Sequence, residues 1–128
     1  MSDTEKVIDL TYLQSIADGN QSIVIELIEI FLEQINEFSN GFKGHFSKKD
    51  WKSLAALAHK AKSSVISMGL EDLSYELKNL ELLCRDYASN IEGFSDNNTE
   101  ELISSKIEKF IKVCGQAKEE LIEIINTK

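Results

Sequence analysis

The 128-residue chain contains no proline and only six glycines, so nothing in it forbids long uninterrupted helices, and a turn-rich all-β fold lacks its usual punctuation. Long apolar runs are missing too. Glu, Lys or Asn interrupts the apolar clusters every few positions, and no segment is expected to cross a membrane. The opening Met1-Ser2-Asp3-Thr4-Glu5-Lys6 is polar and acidic, whereas a secretory leader needs a basic start and an apolar stretch, so a cytoplasmic location is expected. A cationic excess is absent: 14 Lys and Arg stand against 22 Asp and Glu, a net charge of −8 that disfavours nucleic acid and anionic membrane surfaces. Of the two cysteines, Cys84 and Cys114, neither has a Cys or His at metal-ligand spacing, so buried free thiols are expected rather than a zinc site or a disulfide framework.

What is present is helical periodicity. The 42% apolar and 28% charged shares suit one globular domain spanning residues 1–128. Apolar residues recur at spacings of three and four, which on a helix of about 3.6 residues per turn forms a single stripe. The first stripe is Val24, Ile28, Phe31, Ile35, Phe38, with Asn20 or Ser22 available as a cap. The second is Trp51, Leu54, Ala58, Ala61, Val65, Met68, preceded by Ser47 and Asp50 as a capping pair and followed by Gly69. Leu70, Leu73, Leu77, Leu80, Cys84, Tyr87 form the third. The fourth, entered from Thr99, is Ile103, Ile107, Phe110, Cys114, Ala117, Leu121, Ile124. A short amphipathic piece, Leu10 to Ala17, precedes them. With connectors expected at Asn40 to Ser47, at Gly69 and at Ser89 to Asn98, the pattern predicts an all-α antiparallel up-and-down four-helix bundle with a short N-terminal lead-in helix.

His59 is the candidate for chemistry. If the second stripe faces the core, His59 lies about 100° round the helix from Ala58 and points outward or to the edge. Ala55, Ala56, Ser63 and Lys62 surround it at one turn, with Lys52 a turn further back and Lys60 beside it. Small neighbours leave the ring open to a visiting molecule. An imidazole, ordinarily titrating near pH ~6.5, is largely neutral at pH 7 and therefore a competent nucleophile. Ammonium groups nearby suit it to holding a phosphoryl group through charge-assisted hydrogen bonds. Residues 41–62 carry six lysines against Asp50 alone, a local reversal of the acidic balance. Hydrolysis fits poorly, because the chain offers no paired acid, oxyanion loop or Gly-rich phosphate cradle. His45 is expected to be a solvated connector residue, Trp51 a core residue, and Ile30 part of an exposed apolar patch.

The run Leu57-Ala58-His59-Lys60-Ala61-Lys62-Ser63-Ser64 with Met68-Gly69-Leu70 resembles the signature of histidine phosphotransfer (HPt) domains. Asp9-Leu10-Thr11-Tyr12-Leu13, Leu27 to Gln34 and Asp50-Trp51 are similar to the order of elements upstream in that family, so the likeness spans roughly residues 8–125. It implies a phosphoryl carrier without autonomous kinase or phosphatase activity, phosphorylated on His59 by a receiver domain's aspartyl phosphate and discharging to another receiver. Lys62 would be the cation beside the phosphoryl group. Lys60, Lys52 and Ser63 would support it or meet the partner, and Gln34 would hydrogen-bond the ring or the phosphoryl group. Ser63 departs from the pattern, which usually has glycine there. The implied partners are receivers of hybrid histidine kinases and response regulators, with Mg²⁺ supplied by the receiver and no cofactor of the chain's own. A monomer is expected. The alternative is a helical adaptor that binds a receiver or partner helix through the same face without being phosphorylated.

Overall fold

The computed structural model describes residues 6–90 and 97–127, and among them finds five helices and no strand. These are α1 (Thr11–Ala17), α2 (Gln21–Ser47), α3 (Trp51–Ser67), α4 (Glu71–Asn90) and α5 (Asn97–Asn126). Each long helix buries its apolar stripe in one shared core, running through Ile28, Phe31 and Phe42 of α2, Leu54 and Ala58 of α3, Leu77 and Cys84 of α4, and Ile103, Phe110 and Leu121 of α5. Helix α3 packs on α2 and α4, α5 packs on α2 and α4, and α1 rests on α2. The α3–α4 contact is the most extensive. Ala55, Ala58 and Ala61 supply little bulk on the buried side of α3, so its backbone can approach a neighbour closely.

Local chemistry fixes the ends. Asn20 starts α2 by accepting the Ile23 N–H, and Asp50 starts α3 by accepting both the N–H and the hydroxyl of Ser53. The Ser53 hydrogen bonds hold the Asp50 carboxyl below its ordinary pKa. Gly69, at φ +80°, closes α3: its N–H bonds Ile66 and the Leu70 N–H bonds Val65, while Val65 and Leu70 bury together. At one end of the molecule Lys49 and Tyr87 both reach Glu100, and Trp51 stacks edge-on with Phe46 and Tyr87. Toward the other, the Val7 and Ile8 N–H groups bond Glu120, and the Asp9 N–H bonds Met68.

Four sequence expectations need correction. The Asn40 to Ser47 connector is helical, because Phe42 and Phe46 continue the stripe past two glycines. One of these, Gly41, stands where Leu57 of α3 comes within 2.6 Å of the position a Cβ would occupy. His45 therefore sits half-buried in the last turn of α2, not in a connector. Ser47 does not share the α3 cap, which Asp50 provides with Ser53. Helix α5 begins at Asn97, before Thr99, and the centre of the Ser89 to Asn98 connector, like Met1 to Glu5, lies outside the described residues. Both thiols are buried, and burial pushes each up to about 12.

Candidate functional site

His59 stands near the middle of α3 with Ala58 buried beside it, so the helical turn from 58 to 59 carries the ring out of the core. Its side chain is 63% exposed. The exposure is one-sided. Nδ1 lies 3.1 and 3.3 Å from the two carboxylate oxygens of Glu81, one helix away on α4. Glu81 is the only charged residue buried among those described, at 3% exposure. It survives there because cations surround it: Lys62 Nζ is 2.9 Å from Oε1, and the Arg85 guanidinium pairs with Oε2 from one turn along α4. Burial works to raise the Glu81 carboxyl, but the hydrogen bonds from Lys62 and His59 and the charges of Lys62 and Arg85 outweigh it, leaving the pKa below its ordinary value.

An ionised carboxylate can only accept hydrogen bonds. Nδ1 therefore carries the hydrogen in the neutral ring, which leaves the Nε2 lone pair as the free, nucleophilic position. The ring borders a shallow cleft between α3 and α4, with Lys62, Ser63, Ile66, Tyr75 and Lys78 on its walls. A second cleft shares Ile66 and continues toward Tyr12 of α1, so exposed apolar groups lie along one face beginning at the histidine.

The expected residues are thus divided. His59, Lys62 and Ser63 come together in the cleft, Lys62 with its ammonium on Glu81 rather than free. Lys52 and Lys60 are exposed on α3 and do not line the cleft. Gln34 is half-buried on α2, and no hydrogen bond joins it to His59 among the described residues. Ala55, one turn before His59 on α3, is buried at 1% exposure, so of the small neighbours it lies on the core side of the ring. Ile30 is exposed on α2. Lys43, Lys48 and Lys49 of the basic stretch lie at or before the start of α3, and His59 comes nine residues after Asp50, about 13 Å along the helix at 1.5 Å per residue. Only the lysines on α3 itself share its element.

Sequence reasoning missed Glu81 and Arg85. Glu81 is four residues after Leu77 and three before Cys84, on the apolar stripe, where a carboxylate demands a cation; Arg85 at the i+4 position is half of that signal. Which face of α3 would answer it was not encoded locally. Among the described residues no group of three or more His, Cys, Asp or Glu side chains is gathered so as to hold a metal ion, and no helix is long and apolar enough to cross a membrane.

The site is thus a largely exposed imidazole held through Nδ1 by a buried carboxylate that also pairs with Lys62 and Arg85. In a comparison with models of protein families, residues 26–123 match the Hpt domain. The chain belongs to the Hpt domain family, whose function is histidine phosphotransfer in two-component phosphorelays through interaction with receiver domains. Comparison with curated proteins and with solved structures found no match.

Proposed function

We propose that this chain is a phosphorelay intermediate in which His59 accepts a phosphoryl group from the aspartyl phosphate of one receiver and passes it to another. The observation that carries this reading is the Nδ1 to Glu81 hydrogen bond on a ring otherwise open to solvent. In the transfer, the Nε2 lone pair attacks phosphorus in line, the P–N bond forms as the acyl P–O bond breaks, and the receiver's aspartate leaves as a carboxylate. No proton has to move. Nδ1 keeps its hydrogen, and the positive charge that the ring gains faces Glu81. The same hydrogen makes the return step favourable, because the imidazole then departs as a neutral ring.

Lys62 stabilises the phosphoryl oxygens, with Lys60 and Lys52 adding positive potential and Ser63 leaving room for the receiver. The receiver brings its Mg²⁺, and the chain has no kinase or phosphatase activity and no cofactor of its own. Hybrid kinases and response regulators in the cytoplasm are the partners, and the chain acts as a monomer. The closed cycle of contacts among α2, α3, α4 and α5 supports reading these as an antiparallel up-and-down bundle, with α1 as its lead-in. In such a frame the histidine has rigid support while Ile66, Tyr12 and Tyr75 offer a partner apolar contact.

Incubation with a ³²P-labelled receiver tests the proposal. Label is expected to move to this chain in an acid-labile, alkali-stable form and to be absent from His59→Gln. A wild-type chain that binds receivers yet stays unlabelled would instead be an adaptor, and ATP with Mg²⁺ alone is expected to label nothing.

A further inference from the structure

The Glu81 cluster holds one more cation than a resting ion pair requires. Lys62 sits on Oε1, whereas Arg85 sits on Oε2, which it shares with His59 Nδ1. The Glu81 side chain is 4% exposed, so it cannot be left without a positive partner at small cost. A phosphoryl group arriving on Nε2 creates a competing demand. It brings anionic oxygens to the cleft that Lys62 lines, and a single ammonium cannot compensate both anions fully. Before transfer the three charged side chains sum to one surplus positive charge, and that surplus exists only because Arg85 is there.

We propose that Arg85 is a positioning residue for phosphoryl transfer: it keeps Glu81 compensated through Oε2 while Lys62 turns from Oε1 to the phosphoryl oxygens. The inference rests on His59 being the acceptor. Placement supports the division of labour. Arg85 is on the same helix as Glu81, one turn along, and so stays with the carboxylate whatever α3 does. Lys62 is on the same helix as His59, one turn along, and stays with the ring. The guanidinium fork can also span both carboxylate oxygens once Oε1 is vacated, which an ammonium does less well. Bond changes are those of the transfer itself, with one P–N bond made and one acyl P–O bond broken; Arg85 and Lys62 exchange contacts and no protons.

A double-mutant cycle tests this with two donors: a phosphorylated receiver, and phosphoramidate, a small donor that loses ammonia and does not dock. Arg85→Gln is expected to slow single-turnover loading of His59 about tenfold with both donors, and Arg85→Lys to recover part of it. In a Glu81→Gln background, where no carboxylate competes for Lys62, Arg85→Gln is expected to cost less than about twofold. An equal slowing in both backgrounds would overturn the proposal, since Arg85 would then act on the phosphate directly. Slowing with the receiver alone would overturn it as well, by making Arg85 a docking contact. A wild-type chain that takes no phosphoryl group on His59 from either donor would sink the acceptor reading itself; loading of the wild type with an additive cycle would remove only the role of Arg85.

Discussion

Replacing Glu81 with glutamine keeps the shape of the side chain and removes its charge, so it reads what the carboxylate does for His59 net of the release of Lys62 and Arg85. As the P–N bond forms, the ring acquires positive charge 3.1 Å from the nearer carboxylate oxygen. A full unit charge at that distance interacts by about 5 kcal/mol at an effective dielectric of ~20 and by about 1.3 kcal/mol in bulk water. The ring is 63% exposed and carries only part of the charge at the transition state, which places the differential effect near the lower end, about 1.5–2.5 kcal/mol. That corresponds to a slowing of about 10–70-fold. Rapid-quench single-turnover transfer from a saturating phosphorylated receiver reads the rate, and titration of the unphosphorylated receiver reads docking. The expectation is a loss confined to the rate at saturation. A change of less than about twofold, or a loss found wholly in affinity, would refute the electrostatic reasoning.

Gly69→Ala is expected to destabilise the fold by about 3 kcal/mol, since it combines a left-handed backbone position with an added Cβ that would lie 2.5 Å from the Asp9 Cβ and carbonyl oxygen. Gly115→Ala, with nothing within 4 Å of the new atom, is expected to raise stability by about 0.5–1 kcal/mol; urea unfolding measures both. The Cys84 and Cys114 thiols are raised from 9.0 to about 12 in the fold, so their contribution is complete below pH 9 and declines above it as the unfolded chain releases protons that the native state keeps. Each adds a slope of about −1.4 kcal/mol per pH unit in that window, and Cys114→Ala should remove one such slope from the pH dependence of urea unfolding. The Glu81 carboxyl is lowered, so its stabilisation is present above its ordinary value of 4.5 and lost as pH falls through the folded value; Glu81→Gln should flatten that acid limb.

The stripes were readable because each helix repeats its apolar residues at three and four, and every core residue of the kind Val24, Leu54, Leu77 or Ile107 follows from that rule alone. The Asn40 to Ser47 stretch, expected as a connector, holds Gly41 and Gly44 and is helix. In isolation a glycine weakens a helix, and only the approach of Leu57 explains why Gly41 is useful within one. At the site, the outward direction of His59 and the nearness of Lys62 come from helical geometry. Glu81 does not. Its pairing joins α3 to α4 across 22 positions, and a helical stripe indicates that a neighbour will cover it without indicating which residue of that neighbour arrives. The burial of Ala55 was not legible for the same reason, since a residue on the margin of a stripe is buried or exposed according to how near the next helix comes.

The most direct measurement of the central claim is ¹⁵N and ³¹P NMR of the chain labelled in its histidine rings, before and after loading from a phosphorylated receiver. Before loading, His59 is expected to show a protonated Nδ1 and a bare Nε2; after loading, phosphorus is expected on Nε2 with Nδ1 still protonated. A bare Nδ1 in the resting ring, or phosphorus bonded to any other atom of the chain, would contradict it.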